Sequence, residues 1–120
     1  MKYEIELYER ADKECPVLDF IISLTAKQQA KIYREIELLE EFGNDLHFPH
    51  VRKIEGKKNE FLWELRIKLG SDAFRIMYFM FYENHCVLLH GFKKKTEKTP
   101  PKELEVALNR MTDYIRRKEK

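Results

Sequence analysis

The residues of this sequence with the clearest capacity for chemistry are basic, and they lie in or beside predicted strands. Arg66 and Arg75 fall within two strand-like segments, and the lysine run 93–95 follows a third. An arginine can bind a phosphate bidentately, and lysines add positive charge. The alternatives are a solvated surface or, for Arg75, an ion pair with Glu64 across a hairpin. The basic set is Lys53, Lys57, Lys58, Arg66, Arg75, Lys93, Lys94 and Lys95.

The distribution of charge along the chain favours an anionic partner. Residues 1–50 contain 6 Lys/Arg and 11 Asp/Glu, whereas residues 51–120 contain 17 and 10. The basic half is therefore the half that holds the strand-like segments with the arginines. Such a polarity predicts one surface for a polyanion, although charge alone leaves a solvated surface equally open.

Other common chemistries lack their sequence signatures. There is no GxSxG, no glycine-rich phosphate loop and no zinc motif. Cys15 and Cys86 have no metal-ligand spacing, and we expect reduced thiols. His47 and His50 flank Pro49 in a predicted loop and are not expected to hold a metal. The sequence predicts neither a metal nor a cofactor.

The elements that must position the basic residues fit one domain over residues 1–120, with 43% hydrophobic residues to form its core. No apolar run approaches the ~20 residues needed to cross a bilayer. The N-terminus also lacks the basic and then apolar pattern of a signal peptide. We therefore expect a cytoplasmic protein that makes no membrane contact.

The N-terminal part of the chain predicts a strand followed by a helical hairpin. Residues 3–8 alternate with a period of two, which is typical of a half-buried strand. A helix is expected to begin near Pro16. A second helix follows Thr25, which can form a capping box with Gln28, and Gly43 is expected to end it in the left-handed conformation.

The remainder of the chain predicts four strands and a C-terminal helix. Thr99 and Pro100 are expected as the cap and first residue of that helix, with residues 116–120 frayed. Short turns between the strands indicate an antiparallel meander, so the predicted class is α+β with the order β-α-α-β-β-β-β-α. The predicted strands of the meander are residues 51–55, 61–68, 73–82 and 85–92.

Motifs on these strands resemble a known family. Residues 61–66 read FLWELR, residues 74–79 read FRIMYF, and residues 90–96 read HGFKKKT. Together they resemble the phage-derived HigB-like branch of the RelE/ParE toxin superfamily of type II toxin–antitoxin systems. The resemblance extends over about residues 49–114 in order and spacing, and the helical hairpin agrees with the family only in pattern.

This resemblance implies a RelE-like fold with a concave basic surface opposite the helical hairpin. It implies a toxin that inhibits translation by cleaving mRNA in the ribosomal A site, as a metal-free endoribonuclease that uses the RNA 2′-hydroxyl. The implied partners are the ribosome, mRNA and a cognate antitoxin, often a helix-turn-helix protein, in a hetero-oligomer. Since the superfamily includes gyrase poisons, a non-catalytic toxin acting on gyrase stays open, as does an inactive prophage-derived binding domain.

Under this interpretation, Arg66 stabilises the charge of the reacting phosphate. Lys53, Lys94 and Lys95 complete the catalytic group, because crowded cations lower one another's pKa. His90 is either a further titrating group or a packed strand histidine. The lysine run cannot point one way throughout, so at least one of its members should be solvated. RNA phosphate binding is assigned to Lys57, Lys58, Arg75, Lys93, Thr96 and Lys98.

Overall fold

The computed structural model describes residues 2–119, which form five strands and three α-helices in the predicted order. The α+β class is confirmed, and the predicted boundaries shift by one to a few residues. The elements are β1 (Glu4–Leu7), α1 (Pro16–Ile22), α2 (Ala26–Phe42), β2 (Val51–Lys53), β3 (Trp63–Leu69), β4 (Asp72–Phe81), β5 (His85–Lys93) and α3 (Pro101–Lys118).

The sheet has the strand order β1-β5-β4-β3-β2. Strands β2 to β5 form the antiparallel meander that the short turns predict. The N-terminal strand β1 joins its edge in parallel, with Glu4 opposite His85 and Leu7 opposite Leu88. The predicted four-strand antiparallel meander is therefore only part of the sheet, which has five strands and contains both parallel and antiparallel pairs. Alternation in β1 predicts a strand but carries no information about its partner.

The helical hairpin α1–α2 covers one face of the sheet. The predicted capping box starts α2: the Gln28 amide donates to Thr25 Oγ1 at 3.2 Å, and the Thr25 amide donates to Gln28 Oε1 at 3.0 Å. The core on this side consists of Val17, Ile21, Ile32 and Leu39 from the helices and Val51, Leu65, Ile67, Phe74, Ile76, Tyr78, Cys86 and Leu88 from the strands.

Gly43 ends α2 in a conformation other than the predicted one. Its φ of 44° is positive, but its ψ of −116° lies outside the left-handed helical region. A Cβ atom at Gly43 would lie 2.2 Å from the ring of Tyr3. Glycine is therefore required both by its backbone angle and by the Tyr3 ring that packs on the end of the helix.

Helix α3 covers part of the opposite face, and its start differs from the prediction. Pro100 occupies the cap position and Pro101 the first helical position, whereas the Thr99 hydroxyl donates to Glu64 Oε2 at 3.3 Å. The helix continues through Lys118, where a frayed tail was expected. The core on this side contains Met77, Phe79, Val87, Leu89 and Phe92 of the sheet and Ala107, Met111 and Tyr114 of the helix.

A β-bulge interrupts the pairing of β4 with β5. Met77 is opposite His90, but the next residue, Tyr78, is opposite Leu88. Leu89 is thus an extra residue of β5 without a partner in β4. A bulge of one residue reverses the alternation of side chains along the rest of the strand.

The effect of this reversal is visible on both sides of the bulge. Before the bulge, the odd-numbered Val87 belongs to the core beneath α3. After the bulge, the even-numbered Phe92 belongs to the same core. Gly91 faces the hairpin, where a Cβ atom would lie 2.5 Å from the Phe20 ring. Beyond the bulge the even-numbered residues face the side of α3, and Lys94 continues that series.

Candidate nucleic-acid interface

A basic surface lies on the part of the sheet that α3 leaves uncovered. In β3, Glu64 and Arg66 alternate with the buried Leu65 and therefore project away from the helical hairpin. Cross-strand pairing places Arg52 beside Glu64 and Arg75 beside Arg66. Three guanidinium groups and one carboxylate share this small area, which we call the basic face.

Two adjoining grooves cross the basic face, and both include Arg52, Lys94 and Glu97 in their walls. The first, of about 360 Å³, extends to the start of α3 and is also lined by Lys53, Ile54, Glu55, Glu64, Lys98, Thr99 and Leu104. The second, of about 400 Å³, is also lined by Arg66, Ala73, Arg75, Lys95 and Thr96.

The floor of the basic face contains an ion pair. Glu64 and Arg75 are only 2% and 6% exposed. Arg75 Nε lies 3.7 Å from Glu64 Oε1, which is the cross-hairpin pair considered from the sequence. A second guanidinium nitrogen of Arg75 donates to the Phe74 carbonyl at 3.0 Å. Burial lowers the pKa of Arg75, Glu64 acts in the opposite direction, and Arg66 and Arg52 lower it further. Arg75 is thus held mainly by the protein and contributes positive charge to the second groove.

Lys94 is the lysine of the run that faces both grooves. Burial lowers its pKa, and the guanidinium of Arg75 lowers it further, whereas the Glu64 carboxylate acts in the opposite direction. Arg66 and Arg52 add to the lowering. The lowering of a lysine pKa that crowded cations predict is therefore found at Lys94. A lysine with a lowered pKa can exchange a proton nearer to neutral pH than an ordinary lysine.

Arg66 is half-buried and keeps donors for a ligand. Its guanidinium lies over the ring of Phe48, with Cζ 4.6 Å from the ring centroid. Among residues 2–119, its buried Nε has no hydrogen-bond partner. A buried donor without a partner is unfavourable unless a ligand or water satisfies it. Arg66 also lines the second groove, so its guanidinium is placed to bind an anion that enters there.

The other predicted site residues divide into two groups. Lys95, Thr96 and Lys98 line the grooves, although the Thr96 hydroxyl donates to the Lys98 carbonyl at 2.7 Å. Lys53 also lines the first groove, and its Nζ donates to the Ile54 and Asn59 carbonyls at 3.0 and 3.2 Å. These two bonds hold its ammonium group against the backbone.

Lys93, Lys57 and Lys58 lie apart from the grooves. Lys93 is opposite Phe74, on the hairpin side, and its Nζ lies 3.0 Å from Asp72 Oδ1. Lys57 and Lys58 are exposed in the short 3₁₀ turn at 57–59. Neither of them lines either groove. The structure therefore brings together Lys53, Arg66, Arg75, Lys94, Lys95, Thr96 and Lys98 of the predicted set.

Two residues of the basic face were not selected from the sequence. Arg52 is exposed in β2 and lines both grooves. Its position after Val51, in a strand of alternating residues, was the available signal. Phe48 lies in the loop before β2, and nothing in its neighbourhood along the chain points to Arg66.

His90 belongs to the packing beneath α3. Arg110 can only donate, so its bond of 3.2 Å makes His90 Nδ1 an acceptor. The proton therefore resides on Nε2, which donates to Glu103 Oε1 at 2.6 Å. The ring also stacks on Phe92, at 5.5 Å between centroids. Burial lowers the pKa of His90, which favours the neutral ring.

Two further observations concern what the described chain could hold or cross. Among residues 2–119, no group of three or more His, Cys, Asp or Glu side chains is placed to bind a metal ion. His50, one of the two loop histidines, instead lies 3.0 Å from Glu35 through Nδ1. None of the described helices combines the length and apolar character needed to span a membrane.

A comparison with models of protein families identifies a family that the chain matches. The model described as "Phage derived protein Gp49-like (DUF891)" matches residues 19–112. The match begins inside α1 and ends inside α3, so it includes most of the helical hairpin as well as the strands with the motifs. No curated protein matches the chain.

The lowered pKa of Lys94 gives a test of this geometry. Replacing Arg52 with glutamine removes one of the cations that disfavour the charged amine, so the Lys94 pKa should rise towards its ordinary value. An NMR titration of the lysine side-chain resonances measures this, with Lys94→Arg to assign the signal.

The matched control is Lys58→Gln, which removes an exposed cation outside the grooves and should leave the Lys94 midpoint in place. Equal midpoints in the wild type and in Arg52→Gln would contradict the electrostatic coupling across the basic face.

Proposed function

The chain belongs to the phage-derived Gp49-like family, which is in general a family of RelE/HigB-like toxins, and from that premise we propose that it is the toxin of a type II toxin–antitoxin system. We propose further that it is a ribosome-dependent endoribonuclease that cleaves mRNA and so inhibits translation in the cytoplasm. The observation that carries this proposal is the basic face, where Arg66 and Lys94 line the same groove.

The proposed reaction is attack of an RNA 2′-hydroxyl oxygen on the neighbouring phosphorus. A bond from the 2′-oxygen to phosphorus forms, the bond from phosphorus to the 5′-oxygen breaks, and the proton lost by the 2′-hydroxyl is balanced by one given to the 5′-oxygen. Such a reaction needs a proton acceptor, a proton donor and stabilisation of the phosphorane charge. It needs neither a metal nor a cofactor.

The basic face offers groups for these roles. Arg66 lines the second groove and would stabilise the phosphorane charge. Lys94, whose pKa is lowered, would exchange a proton with the reacting oxygens. Lys95 would add positive charge from the wall of the second groove. Lys53, fastened to two carbonyls, would act through its charge in the first groove.

The remaining basic residues would hold the RNA on either side of the scissile phosphate. Arg52 and Lys98, with the hydroxyl-bearing Thr96, line the grooves and would bind flanking phosphates. Arg75, which is buried, would add its positive charge to the second groove. Lys57, Lys58 and Lys93 are exposed outside the grooves and would act only through long-range attraction of the polyanion.

The proposed partner in the resting cell is a cognate antitoxin, of the helix-turn-helix type that the sequence motifs imply. An antitoxin segment with acidic residues would be complementary in charge to the basic face and would block the binding of RNA in the grooves. The resulting state would be a hetero-oligomer. The alternatives are a toxin that acts on gyrase without catalysis and an inactive prophage-derived binding domain.

The choice between translation and gyrase as the target is testable by pulse labelling. Induction of the chain without its antitoxin should arrest growth with a rapid fall in amino-acid incorporation, because a cut A-site codon stalls the ribosome. Incorporation of thymidine should fall later. An early loss of DNA synthesis with translation intact would favour gyrase, and normal growth would favour the inactive domain.

Arg66→Ala should reduce ribosome-dependent cleavage by ~10²–10³-fold, which is typical for loss of a group that stabilises charge in the transition state. The fold should persist, since Arg66 lies on the open side of the sheet. Cleavage of a defined mRNA on purified ribosomes, together with thermal unfolding, measures both properties.

The matched control is Lys57→Ala, which removes an exposed cation outside the grooves and should retain activity. Unfolding of Arg66→Ala with cleavage retained at low temperature would make Arg66 a structural residue.

The three lysines at the end of β5 should differ in importance. Lys94→Ala should lose most cleavage, Lys95→Ala less, and Lys93→Ala little, because Lys93 already pairs with Asp72 on the hairpin side. Ribosome affinity should weaken with salt, and loss of a phosphate contact should reduce the slope by about 1. Assays of the three variants at several salt concentrations measure this, and three equal losses would exclude the assigned orientations.

A further inference from the structure

An exposed phenylalanine stands beside the arginine that the proposed function assigns to the phosphate. Phe48 lies in the loop between α2 and β2 and is 68% exposed. Single exposed apolar residues are common and need no explanation by themselves. This one differs because Arg66 Cζ lies 4.6 Å from its ring centroid. The exposed ring is therefore part of the basic face.

The loop that carries Phe48 is held in place by contacts of His50, two residues further along the chain. The Arg66 amide donates to the His50 carbonyl at 2.8 Å, and the His50 amide donates to the His47 carbonyl at 2.9 Å. His50 Nδ1 also lies 3.0 Å from Glu35 Oε1, and Glu35 is only 4% exposed. The phenylalanine is therefore presented by a segment tied both to β3 and to α2.

The contact leaves both partners able to bind something else. A cation above a ring uses one face of the guanidinium, while the donors at its edge point outwards in the plane. Arg66 also lines the second groove, from which an anion can reach its guanidinium. Most of the Phe48 surface is likewise open. One site thus offers in-plane donors for an anion next to an apolar ring.

A nucleotide combines two groups that are complementary to this site. Its phosphate accepts hydrogen bonds in the plane of a guanidinium, and its base has a flat face that stacks on aromatic side chains. Only an unpaired base can turn away from its neighbours to stack on a protein ring. The juxtaposition of Phe48 with Arg66 therefore fits a single strand better than a duplex.

We propose that Phe48 is a base-stacking residue, which positions a single-stranded nucleic acid by holding one unpaired base while Arg66 binds a phosphate close to that base. This inference deepens the proposed function, on which it rests for the identity of the strand as RNA. Phe48 would contact the substrate but take no part in making or breaking bonds. Stacking of this kind tolerates all four bases.

The test uses the full chain with a strand that cannot be cleaved. The probe is a fluorescein-labelled 2′-O-methyl oligonucleotide, which lacks the attacking hydroxyl, and a series of the same strand with one abasic position each. Fluorescence anisotropy at low salt gives the affinity. The variants are Phe48→Ala and Phe48→Trp, with Phe61→Ala as the matched control, since Phe61 is also 63% exposed but precedes β3 outside both grooves.

Phe48→Ala should weaken binding of the intact strand by about 5- to 150-fold, which corresponds to the ~1–3 kcal/mol that stacking of one base supplies. Phe48→Trp should bind at least as tightly as the wild type, and Phe61→Ala should be unchanged. The wild type should lose a similar factor at one abasic position, and Phe48→Ala should lose nothing further there.

Three results would overturn the inference: equal affinities of Phe48→Ala and the wild type, equal weakening of the intact strand and every abasic strand, or no binding by the wild type. The second would mean that Phe48 only orients Arg66. Because the probe is never cleaved, failure of the inference differs from failure of the proposed function. Normal stacking without cleavage would contradict only the latter, and cleavage with unaltered binding by Phe48→Ala only the former.

Discussion

The basic face depends on one buried carboxylate. Glu64 is 2% exposed, pairs with Arg75 and accepts a hydrogen bond from Thr99. Like charges repel more strongly where water is excluded, so cations packed this closely need an opposite charge among them. Removing one member of a buried ion pair typically costs about 3–5 kcal/mol. The same carboxylate ties the sheet to the segment that leads into α3, and so it shapes the first groove.

The two faces of the sheet divide stability and chemistry between them. The hairpin side is an apolar core, whereas α3 covers only part of the other side and leaves β2 and β3 open. On that open part Arg66 stands directly opposite Arg75, an arrangement of like charges that disfavours strand pairing. Local conflicts of this kind are expected at functional sites, where a ligand supplies the missing charge. A polyanion would do so here.

Local patterns in the sequence were enough to predict the order of the helices and strands and to identify much of the basic face. The capping box of Thr25 and Gln28 involves residues three apart, so its geometry follows from the helix itself. Alternation with Leu65 is likewise sufficient to place Arg66 on the side away from the hairpin, because side chains of a strand alternate without exception until a bulge occurs. The motifs around these residues also carried the resemblance to phage-derived toxins over about residues 49–114, whereas the family match covers residues 19–112 and so includes most of the helical hairpin.

Only the tertiary structure decided which lysine enters the grooves and which ring meets the arginine. Strict alternation from Val87 would turn Lys93 to the side of α3, but the extra residue Leu89 reverses the phase and places Lys94 there instead. The parallel pairing of β1 and the contact of Phe48 with Arg66 likewise join segments far apart in the chain. The periodic pattern of apolar and polar residues reflects the local geometry of a helix or strand, so it can be recognised in the sequence. Register, bulges and long-range contacts follow from how whole elements pack, and no local pattern records them.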